Sequence, residues 1–207
     1  MASALTAEVP AASTDGRGGA IVLARHGEPA LSRKVRLNAR EYRDFWAQYE
    51  VLGLLPGQSP PAALAAFVER CGVLVSSTRL RSIESAEKLA LGREFAREAV
   101  LIEAPLPPPN WPHWVRLSPS LWGFIARVWW WYFNHHGGQE TRRQAEARAD
   151  TAAAMLETLA DKGEDVVVLA HGFFNFMIGR SLKRRGWRLE HSEGWKYWSM
   201  RRFVRAR

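Results

Sequence analysis

The stretch AIVLARHGE at residues 20–28 joins a short apolar run to polar and small residues. A run of this length after a pair of glycines, with isoleucine, valine and leucine at its centre, is typical of a strand covered on both faces. A second stretch of the same kind, VVVLAHG at residues 166–172, also ends in a histidine and a glycine. Two such strands separated by helices predict a parallel sheet with His26 and His171 at one edge.

Helical and extended patterns alternate along the rest of the chain. Further strands are predicted at residues 73–75, 99–102 and 195–204, the last as an arginine-rich edge strand. Helices are predicted where capping residues precede apolar residues at helical spacing: after Asn38 with Glu41, after Ser59 with Pro60, from Ser120 onward, and over residues 140–162. The expected fold is α/β, with three α/β/α layers, a mostly parallel central sheet and an aromatic-rich helical insertion.

The length of 207 residues suits one α/β domain, and 47% hydrophobic with 24% charged residues is typical of a folded protein. Residues 1–19 lack the pattern of a secretory signal and are expected to form a disordered tail, followed by one domain over residues 20–207 with an insertion at about 105–137. The longest apolar stretch, residues 121–133, is too short to cross a bilayer. A single cysteine, Cys71, excludes a disulfide framework and a cysteine-based zinc site, and it favours a reducing, cytoplasmic location.

The net charge of +8 is concentrated at the C-terminal end. Residues 180–207 hold ten Lys/Arg against Glu190 and Glu193, whereas the preceding residues hold 19 basic and 19 acidic side chains. A basic end of this kind could bind nucleic acid through phosphates, but the chain carries no aromatic-basic RNA motif and no recognition-helix signature. We therefore expect no nucleic-acid partner, and the basic cluster at 183–185 suits the C-terminus of a helix.

Four predicted strands end in, or close to, polar side chains. These are Arg25 with His26, Ser76 and Ser77 with Arg81 one turn on, Glu103, and His171. A single histidine after a strand is more often a loop residue or a hydrogen-bonded core residue than a catalytic group. Because the carboxyl ends of parallel strands meet at one edge, four such endings together predict a ligand site there.

The residues at these strand ends resemble motifs of the histidine phosphatase superfamily, which includes the phosphoglycerate mutases. Residues 23–28 are similar to its Arg-His-Gly signature, and residues 166–172 resemble its late strand ending in His-Gly. Residues 76–86 are similar to its Ser-Ser-x-Leu-x-Arg-Ala-x-x-Thr-Ala segment, which places the second family arginine at Arg81. Residues 138–148 resemble its Gly-Glu-Ser helix start, and the matches follow the family's order along the chain.

The resemblance implies a phosphatase that works through a phosphohistidine. His26 would be the nucleophile, because a neutral imidazole is available near pH 7, and its other nitrogen would donate to a backbone carbonyl such as that of Gly27. Arg25, Arg81 and a protonated His171 would hold the phosphoryl oxygens. No metal and no cofactor are expected to take part.

The resemblance also implies that Glu103 protonates the leaving group and then activates water. The structural alternative is a loop carboxylate paired with an arginine. After Glu103 the sequence reads APLPPPNWPHW, which departs from the family's Gly-x-x-Glu-Gly continuation and favours hydrolysis over mutase activity. Glu28, Arg33 and Arg36 are candidate substrate-binding residues; the alternatives are a solvated basic face and a Glu28 that only orients Arg25 or its loop.

The expected substrate is a small phosphorylated molecule, and the aromatic segment at residues 111–136 suggests that it is partly hydrophobic. Two rivals remain: a catalytically weak phosphate-binding or interaction module of the same fold, and a phosphatase of phosphohistidine proteins. The oligomeric state is not indicated by the sequence.

Six of the ten tryptophans lie between residues 111 and 131. One interpretation is a packed insertion in which Trp122, Trp129 and Phe133 share one buried helical face. A second is a cap that excludes water and offers an apolar wall to a partly hydrophobic phosphoester. A third is a membrane-surface contact, which the C-terminal arginines would favour.

Overall fold

The computed structural model describes residues 19–206, so the expected tail lies outside the described residues except for Gly19. The described chain forms six strands and six α-helices. The strands are β1 (Ile21–Arg25), β2 (Val73–Ser77), β3 (Ala96–Glu98), β4 (Val166–Ala170), β5 (Trp187–Ser192) and β6 (Met200–Arg205). The helices are α1 (Ala39–Val51), α2 (Ala62–Arg70), α3 (Leu80–Ala90), α4 (Pro119–Phe133), α5 (Arg142–Ala160) and α6 (Gly172–Arg184).

The strands form one sheet in the order β3-β2-β4-β1-β6-β5. The first four are parallel, and β6 and β5 are antiparallel to their neighbours. In the β1–β4 pair Arg25 lies opposite Ala170, so His26 and His171 leave the sheet side by side. The mostly parallel α/β sheet expected from the sequence is confirmed.

Alternate residues of the central strands enter two different cores. Ile21 and Leu23 pack in a cluster with α5 and α6, whereas Val22 and Ala24 pack in a cluster with α2 and α3. This alternation follows from the two-residue period of a strand and explains why the central strands read as continuous apolar runs. Helices therefore cover both faces of the sheet, as the three-layer prediction requires.

A third cluster joins α1 to the first half of α4. It contains Tyr42, Phe45 and Trp122, and the indole N–H of Trp122 donates to the Leu37 carbonyl over 2.6 Å. The second half of α4 reaches the main core through Trp130, which is fully buried. The aromatic segment is thus anchored to two cores at once.

The buried face predicted for α4, with Trp122, Trp129 and Phe133, is correct for Trp122 and wrong for the other two residues. Trp122 and Trp130 are fully buried, Trp129 is half-buried and Phe133 is 67% exposed. The inner face follows a four-residue step from Trp122 through Ala126 to Trp130, which keeps these side chains in line along a helix.

Two strand predictions are also corrected. Residues 99–102 do not form a strand: the third strand is Ala96–Glu98, and Ala99–Leu101 is a 3-10 turn that buries Leu101. The strand predicted at residues 195–204 is Met200–Arg205, and it lies inside the sheet because β5 covers it. An arginine-rich strand is tolerated there because Arg202 forms an ion pair with Glu190 of β5.

Helix starts are partly confirmed. Asn38 caps α1 and forms the expected capping box with Glu41. The helix expected after Ser59 begins later, with Pro61 at its cap position, and α4 is capped by Ser118 instead of starting at Ser120. Within residues 19–206 we find no helix that is both long and apolar enough to cross a membrane.

Trp122→Ala is expected to lower the free energy of unfolding by about 3–5 kcal/mol, because a fully buried ring is lost and a cavity remains. Phe124→Ala, on the same helix but 62% exposed, is expected to change it by less than about 0.5 kcal/mol. Urea unfolding of both variants checks this. Similar losses in the two variants would contradict the inner and outer faces assigned to α4.

Candidate active site

His26 follows β1 directly and is 2% exposed. Its Nδ1 lies 2.6 Å from the Gly27 carbonyl oxygen, and its Nε2 lies 3.3 Å from Nε of Arg81. A carbonyl only accepts and a guanidinium only donates, so Nδ1 carries the proton and Nε2 keeps its lone pair. Burial and the neighbouring Arg81 and Arg25 hold the pKa of His26 well below its ordinary value, which keeps the imidazole neutral.

His171 faces His26 at the end of the adjacent strand, with ring centroids 5.1 Å apart. Its Nδ1 lies 3.3 Å from Nη2 of Arg81 and its Nε2 lies 2.9 Å from the Ser77 hydroxyl oxygen. The expected protonated state of His171 is wrong for this structure: burial, with Arg81 next, holds its pKa well below the ordinary value. The ring is neutral, accepts from Arg81 and donates from Nε2 to Ser77.

Arg81 lies between the two histidines and is fully buried. Besides these rings, its guanidinium donates to the Tyr49 carbonyl oxygen at 2.7 Å and to the Glu50 carboxylate at 2.8 Å. It sits on the first turn of α3, directly after β2. The neighbouring Arg79 binds the same carboxylate, with its Nη2 2.7 Å from the other oxygen of Glu50.

Arg25 reaches the site from the last position of β1. Its guanidinium stacks on the Tyr197 ring at 4.1 Å and donates to the Trp195 carbonyl oxygen at 2.6 Å. Its side chain packs along Gly172 at the start of α6. Its charge adds to the effects of burial and Arg81 that lower the pKa of both histidines.

Glu103 lies against the N-terminus of α6. One carboxylate oxygen accepts from the Phe174 N–H at 2.8 Å, and the other from the Phe173 N–H at 3.4 Å. Burial raises the pKa of Glu103, although Arg127, the Phe174 amide, Arg81 and the Ala104 amide oppose the shift. A carboxyl group with a raised pKa beside the site is suited to give and take a proton.

Two tyrosines and one arginine cover the pocket. The Tyr197 ring lies 5.8 Å from the His26 ring, and the Arg81 guanidinium lies 4.6 Å from the Tyr49 ring. Arg33 lies over both tyrosine rings, at 5.2 Å and 5.7 Å. The two histidines and Arg81 are consequently at most 2% exposed.

A cavity of about 590 Å³ adjoins this covered pocket. Glu103 and Glu50 line it together with Arg43, Arg79 and Trp46, and a proline-rich wall over residues 105–108 faces them. Glu50 therefore stands at the boundary, in the cavity wall and bonded to the buried Arg81. A phosphorylated molecule entering from the cavity would meet Glu50 before it meets Arg81.

The predicted site residues fall into two groups. His26, Arg81 and His171 are in direct contact, Arg25 and Glu103 border them, and Arg33 lies over the covering tyrosines. Glu28 is exposed, and its backbone N–H and carbonyl pair with the Gln58 side chain. Arg36 is directed away, toward the Arg116 carbonyl oxygen at 3.4 Å.

Several site residues were not found from the sequence: Glu50, Tyr49, Tyr197 and Ser77's pairing with His171. Ser77 was among the polar residues expected at a strand end, but its contact with His171 was not predicted. Glu50 and Tyr49 lie at the end of α1, and Tyr197 lies in the turn before β6; no local pattern marks these positions.

Solved structures share this fold at low sequence identity. The match to mycobacterial hydrolase 1 covers 80% of this chain and 78% of that protein, with 21% identity and a TM-score of 0.56. The match to a mycobacterial glucosyl-3-phosphoglycerate phosphatase covers 80% of this chain and 79% of that protein, with 21% identity and a TM-score of 0.53. The match to a phosphoserine phosphatase mutant from Entamoeba histolytica, in complex with phosphoserine, covers 80% of each chain, with 14% identity and a TM-score of 0.52.

No family model matches the chain, and no curated protein matches it significantly in sequence. At these identities the likeness concerns the fold. The chain shares the fold of these solved structures, in agreement with the fold expected from the motifs at its strand ends.

Proposed function

We propose that this protein is a metal-independent phosphomonoester hydrolase that acts through a phosphohistidine on a small, partly hydrophobic substrate. The observation that carries the proposal is the fixed tautomer of His26, whose unprotonated Nε2 accepts from Nε of Arg81 beside His171. The fold neighbours support it, because two of them are phosphatases of small phosphorylated molecules. The cavity wall carries three arginines, three glutamates and an apolar, proline-rich side, and that apolar side suits the partly hydrophobic part of such a substrate.

In the first step Nε2 of His26 forms a bond to phosphorus as the bond to the ester oxygen breaks. Glu103 gives its proton to the departing oxygen, and Arg81 and Arg25 stabilise the charge on the phosphoryl oxygens. The Gly27 carbonyl, by accepting from Nδ1, stabilises the positive charge that develops on the imidazole. The product is an alcohol, with the phosphoryl group on His26 and Glu103 as a carboxylate.

In the second step the Glu103 carboxylate takes a proton from a water molecule. The water oxygen forms a bond to phosphorus as the bond from phosphorus to Nε2 breaks. Inorganic phosphate leaves, His26 is neutral again and Glu103 is protonated again. The water becomes part of the phosphate, so the net reaction is hydrolysis.

Turnover of a panel of phosphorylated sugars, amino acids, nucleotides and lipids, with phosphohistidine peptides, tests the function. Release of inorganic phosphate with one or more of these, together with an acid-labile phosphoenzyme, is expected. A binding module without turnover would bind inorganic phosphate but would not hydrolyse any of the esters. Preferential hydrolysis of the peptides would favour a phosphohistidine-protein phosphatase.

Glu50→Gln is expected to strengthen binding of inorganic phosphate about five- to tenfold. The Glu50 carboxylate occupies Arg81 at 2.8 Å, so a phosphate dianion has to compete with it, and glutamine removes the competing charge at nearly the same volume. Calorimetric titration with phosphate measures the effect. Glu87→Gln, which removes an exposed pair with Arg97, is the matched control and should leave binding unchanged.

Weaker phosphate binding in Glu50→Gln would show instead that Glu50 holds Arg81 in its working position. Because this titration requires no turnover, its outcome is separate from the test of hydrolysis.

A further inference from the structure

Helix α4 exposes an apolar stripe opposite its buried face. Leu121 is 45% exposed, Phe124 62% and Tyr132 74%, and Val128 lies between them in the same line. Their spacings of three, four and four residues place them on one side of a helix. A helix that is apolar on its inner and outer sides is expected to be covered on both.

The surroundings of this stripe are basic. Between Glu103 and Glu140 the sequence contains no acidic residue, although it contains Arg127 and Arg116, of which Arg116 is paired with Glu41 of α1. Helix α6, which contacts α4, also has no acidic residue. Arg180 on α6 lies over the rings of Trp131 and Phe176, at 5.4 Å and 5.7 Å. Arg180 is exposed and has no carboxylate partner within residues 19–206.

The aromatic surface continues from α4 along α6. The ring of Trp131 lies 6.0 Å from Phe173 and 6.1 Å from Phe176, and Phe176 lies 5.9 Å from Trp195, which is 50% exposed. Arg142 stacks on Trp131 at 4.0 Å and is paired with Glu146. The surface is therefore apolar with a surplus of positive charge.

We propose that the outer face of α4, with Trp131 and Arg180, docks on an anionic lipid surface. An exposed line of leucine, phenylalanine, tyrosine and tryptophan beside arginine can insert its apolar side chains at the boundary of headgroups and acyl chains, while the cations meet lipid phosphates. Helix α4 has 15 residues and is about 22 Å long, so it lies in the plane of the surface. The exposed Arg180, which has no carboxylate partner within residues 19–206, favours an anionic lipid surface over a second copy of this chain.

This surface borders the candidate catalytic acid. The backbone N–H of Phe173 donates to Glu103, and Arg127 of α4 lies 5.5 Å from the Phe173 ring and acts on the pKa of Glu103. A protein docked through α4 would hold this side of the cavity close to the lipid. The docking itself does not depend on the proposed hydrolysis.

Co-sedimentation of the full chain with vesicles tests the docking. Vesicles of phosphatidylcholine with about a third phosphatidylserine are expected to bind the protein, and pure phosphatidylcholine vesicles much less. The triple variant Leu121→Ser, Phe124→Ser, Tyr132→Ser is expected to lower the partition coefficient at least about tenfold. Arg180→Gln is expected to lower it about fivefold on the anionic vesicles.

The control is the double variant Val51→Ser, Leu55→Ser, which removes apolar side chains that are 68% and 45% exposed elsewhere on the molecule. It should bind like the unaltered protein. If the triple variant does not fold, Phe124→Ser alone, expected to weaken binding about threefold, gives the same comparison.

Absence of vesicle binding, or equal binding by the unaltered protein and the Phe124→Ser and triple variants, would overturn the proposal. Light scattering adds a second outcome. A dimer that the triple variant converts to a monomer would assign the face to a second copy of the chain and also overturn it.

Discussion

His26→Ala is expected to abolish formation of the phosphoenzyme and to lower turnover of phosphomonoesters by at least about 10⁴-fold. Alanine has no lone pair at the position of Nε2, and the arginines of the proposed site, Arg81 and Arg25, would bind the phosphoryl group without forming a covalent bond to it. Rapid quenching with a ³²P-labelled substrate measures the intermediate. A labelled intermediate that survives in the variant would show that another residue is the nucleophile.

His113→Ala is the control, because His113 is exposed in the segment before α4. It should form the intermediate at the rate of the unaltered protein. Since His26 is buried, circular dichroism and phosphate titration of His26→Ala are needed to show that the fold and the arginines persist. Retained phosphate binding with no intermediate is the expected combination.

The acidic limb of kcat/KM should lie below pH 6.5. The unprotonated form of His26 attacks, and burial with Arg81 lowers its pKa from the ordinary value of 6.5, so protonation removes activity only at lower pH. The same shift affects stability. Below pH 6.5 the unfolded chain binds protons at His26 and His171 more readily than the folded chain does, so stability should fall as pH falls through this range.

The strand ends were predictable from the sequence because each signal is local. The β1 and β4 runs mark buried strands by themselves, and their parallel pairing alone brings His26 to His171. The order of strands in the sheet depends on long-range pairing, and this is why β6 was mistaken for an edge strand. Residues 99–102 are apolar whether they form a strand or a buried turn, so their composition does not distinguish the two.

The covering residues were beyond local inference for the same reason. Glu50 and Tyr197 come from opposite ends of the chain, and only the tertiary fold brings them to Arg81 and His26. The charge state of His171 also required the structure. Its pKa depends on burial and on the adjacent Arg81, which lies 90 positions earlier in the sequence.

Glu103→Gln is expected to lower turnover of alkyl phosphates about 10³-fold and turnover of 4-nitrophenyl phosphate less than about tenfold. An alkoxide needs a proton as it leaves and nitrophenolate does not, so only the first substrate depends on a general acid. Glutamine can still accept from the Phe174 N–H through its carbonyl oxygen. The variant therefore retains part of the contact with α6 while losing the proton.

The pH profile separates the role of Glu103 in proton transfer from a structural role. Burial raises its pKa, so the protonated acid persists to a higher pH than an ordinary glutamic acid, and loss of that proton produces the alkaline limb of kcat/KM for alkyl phosphates. The limb should disappear in Glu103→Gln. Glu140→Gln, which changes another carboxylate of the cavity wall, should keep the limb and both rates, apart from effects of its pair with Arg148 on stability.

Equal losses on the two substrates would refute the assignment of Glu103 as the acid. They would fit the structural alternative, because a carboxylate that only receives the α6 amides should affect both esters alike when it is replaced. A selective loss on alkyl phosphates that retains the alkaline limb would place the proton on another group. Only the combination of a selective loss and a missing limb assigns the proton to Glu103, since each result alone has a second explanation.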